Sequence, residues 1–159
     1  MLSEQIQAKI NRELKKYPAD QKQSAVMAAL RFVQDEKSWI APDDMADVAA
    51  YLGMPQIAVY EVATFYNMYN LKPMGKHTIT VCTNLSCQLG GANETVAYLE
   101  SKLGIGIGEM TADGKYGLRE GECMGACIDA PLFLISNKKM CGRLTADKID
   151  QILAELDKS

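Results

Sequence analysis

The sequence predicts an α+β protein in two parts: a four-helix bundle over residues 1–75, then a mixed domain of strands and helices over residues 76–159. Three observations predict it. Apolar residues recur at helical spacing through the first seventy residues, with no alternating stretch among them. Leu71-Lys72-Pro73-Met74-Gly75-Lys76 then breaks the pattern with proline and glycine. From His77 the pattern changes to alternation, as a strand requires.

The helices follow in order. Ile6, Ile10 and Leu14 make one apolar stripe, and Tyr17-Pro18 ends it, because the residue before proline leaves the helical region. Val26, Ala29, Leu30 and Val33 make a second. A third is expected to start at Asp43 as N-cap, run through Met45, Val48 and Leu52, and stop at Gly53. Pro55 opens a fourth, reaching Phe65, whose ring is expected in the core. The pair around Gly53 has the outline of a DNA-binding helix-turn-helix. Charge excludes that use: no Lys or Arg stands between Lys37 and Lys72, while Asp43, Asp44, Asp47 and Glu61 do.

The second part begins with a strand, His77-Thr78-Ile79-Thr80-Val81, that delivers Cys82 at its end. His77, the only histidine, reads as a solvated residue. A helix with Val96, Leu99 and Leu103 on its apolar face stops at Gly104. Asp113-Gly114 turns between two short strands, Leu132 to Ile135 is a buried strand, and Asn137-Lys138-Lys139 returns it through Cys141. Thr145 caps a last helix with Ile149, Ile152, Leu153 and Leu156 inward. The pattern admits a thioredoxin-like fold or a ferredoxin-like sandwich. Gly104-Ile105-Gly106-Ile107-Gly108 is not a dinucleotide fingerprint: its third glycine comes one residue early and it follows a helix, so it reads as a flexible connection.

Composition narrows the class. With 48% hydrophobic and 23% charged residues the chain is globular, and a formal charge of −3 does not favour nucleic acid. Five cysteines is an odd number and the N-terminus lacks an apolar leader, which argues against a disulfide framework and for the cytoplasm. No apolar run is long enough to span a bilayer, so any membrane association is through partners.

Four of the cysteines carry the chemistry. Cys82 and Cys87 form C-x4-C, and Cys123 and Cys127 form C-x3-C. Soft thiolates suit iron and bridging sulfide, and a [2Fe–2S] rhomb takes four, two per iron. Zinc is the competitor, although its common pairs are C-x2-C. A thioredoxin-type redox pair also needs C-x-x-C, and a Rieske centre needs two histidines. Cys141 has no partner at ligand spacing and reads as a small buried apolar residue.

These pairs, with Cys123-Met124-Gly125-Ala126-Cys127 running into Ile128-Asp129-Ala130-Pro131, resemble the thioredoxin-like [2Fe–2S] subunits, the E type, of NADH:quinone oxidoreductase (respiratory complex I). A second stretch, Tyr60 to Tyr69, matches another signature of that family. The one departure is Met124 where leucine is expected, a volume-conserving swap. The resemblance implies a thioredoxin-like domain and one [2Fe–2S] cluster on Cys82, Cys87, Cys123 and Cys127. It implies an electron-transfer role beside a flavin-carrying subunit that binds FMN and NADH, peripheral to the inner membrane on its cytoplasmic side. It raises the prospect of a cis Ala130–Pro131 bond, since such folds often carry one before a strand.

Backbone N–H groups near Gly90, Gly91 and Gly125 and the hydroxyls of Thr83 and Ser86 are expected to favour reduction; Glu120, Glu122 and Asp129 are expected to oppose it. The expected potential is low, near about −400 mV. Trp39, Ile40 and Tyr66–Tyr69 are expected at an interface made by the helical part. Two other readings stand beside the first: the matching diaphorase subunit of an NAD-linked hydrogenase or formate dehydrogenase, and a zinc-stabilised interaction domain.

Overall fold

The computed structural model describes residues 1–158, which divide into two compact units, one over Met1–Pro73 and the other beginning at Met74. Seven α-helices and a four-stranded sheet occur among the described residues.

The first unit is helical. Helix α1 (Glu4–Leu14) starts where the Ser3 hydroxyl accepts from the Ile6 N–H (3.2 Å), and it buries Ile6 and Ile10. It ends three residues before Tyr17, sooner than the proline requires. A single 3-10 turn, Lys22–Ala25, leads into α2 (Val26–Lys37), which ends on Ser38 in the left-handed region. Helix α3 (Pro42–Leu52) starts two residues earlier than expected, with Ala41 and not Asp43 as N-cap. Ala41 has no side-chain acceptor, so the cap comes from inside the helix. Asp44 accepts from the Ala41 N–H (3.0 Å) and pairs with Lys37. Gly53, with φ 68°, ends α3, and α4 (Gln56–Phe65) follows Pro55.

The chain after α4 returns across α2 and is pinned there. The Tyr69 hydroxyl donates to the Met27 carbonyl (2.8 Å), the Gln34 amide donates to the Met68 carbonyl (2.8 Å), and the Ile40 N–H donates to the Asn70 carbonyl (2.8 Å). Three expectations are corrected by this arrangement. Ile40 is fully buried and Tyr69 nearly so, both within the core of this unit, so neither is a surface candidate. Phe65, expected inside, is 77% exposed, because it lies on the last turn of α4 away from the buried Val59 and Ala63. Trp39 is half buried.

The second unit is built on β1 (His77–Cys82). After it come α5 (Leu85–Leu89), α6 (Ala92–Leu103), β2 (Tyr116–Gly121), β3 (Phe133–Ile135), β4 (Lys139–Cys141) and α7 (Ala146–Leu156). The sheet order is β2-β1-β3-β4, with β1 and β2 parallel and the other pairs antiparallel. A β–α–β unit therefore precedes a β–β–α unit, as a thioredoxin-like domain requires. Ile79, Val81, Leu118, Phe133 and Ile135 from the strands share one core with Leu99 of α6 and Ile149, Ile152 and Leu153 of α7. Tyr98 donates to Asp150 (2.9 Å) and ties the two helices together. Cys141 belongs to this core, as its sequence context implied.

Two local expectations change. Only one arm of the Asp113–Gly114 turn is a full strand; the other is a single bridge from Met110 to Gly117. Residues 104–108 are ordered, with Ile105 and Ile107 packed on the core and the Gly108 N–H donating to the Leu118 carbonyl (2.7 Å). His77 is half buried beside the Tyr116 ring, at the end of β1 opposite Cys82; burial first, then Lys76 and Lys115, hold its imidazole below the usual range. The Ala130–Pro131 peptide is cis.

Met74 crosses β2 so closely that a Cβ on Gly117 would stand 1.9 Å from the Met74 carbonyl oxygen. Both sides of that contact are backbone and cannot yield by a rotamer change. Gly117→Ala is expected to destabilise the protein by about 1–3 kcal/mol, the usual range for overpacking, read as a lower denaturant midpoint at unchanged slope.

Candidate metal centre

Cys82 is the last residue of β1, and its N–H donates to the Leu132 carbonyl (3.1 Å) while the next N–H, of Thr83, donates to Gly121 (3.1 Å). The strand end is thus held from both sides. Asn84 sits at the N-terminus of α5, and its carbonyl accepts from the N–H of Cys87 (2.8 Å), placing Cys87 on the first turn. Cys82 and Cys87 are both buried, packed with Ala92 and Leu132. Met124, Ala126 and Ala130 lie against the same cluster, so the loop of the second pair is seated on the first pair by apolar contact.

Cys123 and Cys127 are exposed. Between them Gly125 has φ 71°, and its N–H donates to the Cys123 sulfur (3.4 Å). Cys127 opens a 3-10 turn that ends at Asp129. A segment not anticipated from the sequence holds this turn down. The Arg143 N–H donates to the Asp129 carbonyl (2.6 Å), its guanidinium pairs with the Asp129 carboxylate (2.9 Å), and the Leu144 N–H donates to the Pro131 carbonyl (3.1 Å). The approach is tight enough that a Cβ on Gly142 would lie 2.6 Å from the Cβ of Asp129, and one on Gly90 would lie 2.8 Å from that of Ala130. The glycine at 142 was the one sign of this contact in the sequence, and glycine alone does not name its neighbour.

All five cysteines are free thiols. Burial pushes the Cys87 thiol up to about 11, reinforced by the hydrogen bond with Cys82 and by the nearby charges of Cys82, Cys127 and Cys123. The geometric link between the two pairs is the packing of Met124 and Ala126 against Cys82 and Cys87. Burial also acts to raise Cys82, but the N–H groups of Asn84 and Met124 and the Cys87 thiol outweigh it and leave the thiol below its usual range. Cys141 is raised by its own burial and stands outside this group, in the sheet core.

The donors reaching sulfur are backbone amides of Asn84, Met124 and Gly125; the hydroxyls of Thr83 and Ser86 make no bond to a cysteine among the described residues. Glu122 bears on Cys82, whereas Asp129 is balanced by Arg143. Among the described residues no three His, Cys, Asp or Glu side chains gather tightly enough to share a single ion. A [2Fe–2S] rhomb asks instead for two thiolates at each of two irons, and the four thiols, two on each of two apposed loops, fit that demand. No helix among the described residues is long and apolar enough to cross a membrane.

Known proteins resemble this chain over most of its length. The family model for the thioredoxin-like [2Fe-2S] ferredoxin matches residues 10–157. The E subunit of NADH-quinone oxidoreductase from Rickettsia conorii is 42% identical over 144 residues, 90% of this chain and 86% of that protein. NADH-quinone oxidoreductase subunit 2 of Thermus thermophilus is 38% identical over 141 residues, 89% of this chain and 78% of that protein. Among solved structures, an NAD+-reducing [NiFe]-hydrogenase in the H2-reduced state superposes with a TM-score of 0.71 at 22% identity, over 85% of this chain. The chain spans only 22% of that hydrogenase chain, and the likeness is one of fold.

The Arg143 clamp predicts a local effect. Arg143→Ala removes an exposed ion pair, so global stability is expected to fall by no more than about 1 kcal/mol. The amides of residues 127–130 are expected to exchange with solvent measurably faster, while those of β1 stay unchanged, as read by hydrogen exchange.

Proposed function

The chain belongs to the thioredoxin-like [2Fe-2S] ferredoxin family, and from that membership we propose that it is the electron-transfer subunit of an NADH:quinone oxidoreductase, with one [2Fe–2S] cluster on Cys82, Cys87, Cys123 and Cys127. The observation that carries the reading is the packing of the second cysteine loop, through Met124 and Ala126, on the buried Cys82 and Cys87, within the span that relatives at 38–42% identity share. When bound, such a cluster supplies a one-electron carrier, with a total charge of about −2 oxidised and −3 reduced.

The residues around it set the cost of that extra charge. The N–H groups of Asn84, Met124 and Gly125 point at sulfur and favour negative charge; Glu122 opposes it. Burial of Cys82 and Cys87 keeps water from one side, and exposure of Cys123 and Cys127 leaves the other side open to a partner. The partner is the flavin-carrying subunit that oxidises NADH, holding the FMN that this chain lacks. The first unit is a four-helix bundle that serves as the docking domain, and the second is the cluster domain. The assembly sits on the cytoplasmic face of the inner membrane, reached through other subunits.

A second reading is supported by the hydrogenase likeness: the same cluster domain serving as a diaphorase subunit there. The higher identity to subunits of NADH-quinone oxidoreductase favours the first.

Protein purified without oxygen is expected to carry two irons and two labile sulfides per chain and to give a spin-half EPR signal after dithionite. Alanine at Cys82, Cys87, Cys123 or Cys127 is expected to abolish or alter that signal, and alanine at Cys141 to preserve it with full iron. Stoichiometric zinc without visible absorption would establish the zinc-stabilised interaction domain instead.

The chain has no nucleotide fingerprint and one histidine, half buried at the far end of β1. The isolated chain is therefore expected to show no NADH–ferricyanide activity, and the complex with the flavin subunit to show it. Turnover by the chain alone would overturn the division of labour.

A further inference from the structure

Helix α4 carries apolar side chains on the face that its own unit does not cover. Ile57 is 63% exposed and Tyr60 52%, although Val59 and Ala63 on the opposite side are buried. Ile57 and Tyr60 edge a groove of about 430 Å³ whose other walls are Pro42, Met45 and Ala46 of α3 and Gln56. One turn beyond, Phe65 stands edge-on to Tyr66 (5.1 Å between ring centres), and Tyr66 stands edge-on to the anchored Tyr69 (6.5 Å). The exposed rings are thus held in place before any partner arrives, which lowers the entropy lost on binding.

The two helices that form the groove carry carboxylates and no Lys or Arg of their own. No Lys or Arg occurs from Ser38 to Leu71. Of the four carboxylates in that stretch, Asp44 is paired with Lys37 and Asp47 with the Met1 amino group. Asp43 follows Pro42 at the groove wall, and Glu61 lies four residues after Ile57, on the same side of α4; neither forms an ion pair among the described residues.

We propose that this α3–α4 groove is the docking site for an amphipathic helix of the flavin-carrying subunit, one that presents apolar side chains flanked by Lys or Arg. The proposal rests on the functional reading above and names the surface and chemistry of that contact. Ile57 and Tyr60 are the anchors, as bulky apolar and tyrosyl side chains commonly are, and Asp43 and Glu61 orient the incoming helix. A second copy of this chain is disfavoured as occupant, because it would bring the same uncompensated carboxylates face to face.

The test uses the full chain with its cluster and the purified flavin subunit, with affinity measured over a range of salt. Ile57→Ser with Tyr60→Ser is expected to weaken binding at least tenfold. Asp43→Lys with Glu61→Lys is expected to slow association and flatten its salt dependence. Iron content and far-UV circular dichroism are expected to stay unchanged in both, since all four side chains lie at the surface. If the unaltered chain binds and both variants bind equally well, the surface assignment is overturned while the functional reading stands. If the unaltered chain does not bind the flavin subunit, the functional reading falls and takes this proposal with it. A dimer of the unaltered chain that the Ile57 and Tyr60 changes dissolve would give the groove to a second copy and overturn the assigned occupant.

Discussion

The second unit depends on the parallel pairing of β1 with β2. Parallel neighbours end at the same edge of a sheet, and here Cys82 stands opposite Gly121, two residues before Cys123. A long excursion through α5, α6 and the Asp113–Gly114 turn is thereby reduced to the gap between adjacent strands. Antiparallel β3 closes the other side of β1 and places Leu132 against both buried cysteines. A slip of one residue in either register would turn the inward and outward sets over and separate the two cysteine loops.

What could be read from the sequence follows from how local each signal is. Cysteine spacing is a property of short loops, and the loop of the second pair packs on the first through Met124 and Ala126. Helical stripes and terminal glycines such as Gly53 and Gly104 are set within a few residues, and those helices stop where expected. Errors arose where a residue's fate depends on distant chain. Ile40 is buried because Asn70, thirty positions on, accepts its N–H and folds the strap over it. Phe65 is exposed because α4 is apolar nearly all round, and apolarity alone does not say which side the neighbouring helices cover. The N-cap fell two residues early because a carboxylate at Asp44 serves a backbone donor at Ala41 as well as a capping side chain would. Arg143 left no trace at all, since an arginine after a strand is ordinary until the loop it grips is known.

The four thiols are unequal in a way that spacing does not disclose. Cys82 and Cys87 are part of the packed interior, whereas Cys123 and Cys127 ride on a loop seated from outside. The second loop owes its position to that apolar seating, through Met124 and Ala126, and to the turn that follows Cys127. The Arg143 clamp limits how far that loop can stray, gripping the turn that follows Cys127 without touching the sulfurs themselves.

Gly125 shows what kind of limit the outer loop obeys. Nothing lies within 4 Å of where its Cβ would be, so bulk is not the obstacle there. Its backbone angle is the mirror image of the one L-residues prefer. A D-alanine introduced by chemical ligation would therefore sit comfortably between the two outer cysteines, while its L-enantiomer, with the same volume and polarity, would be strained. At this position the cysteine loop selects by chirality, and size matters little.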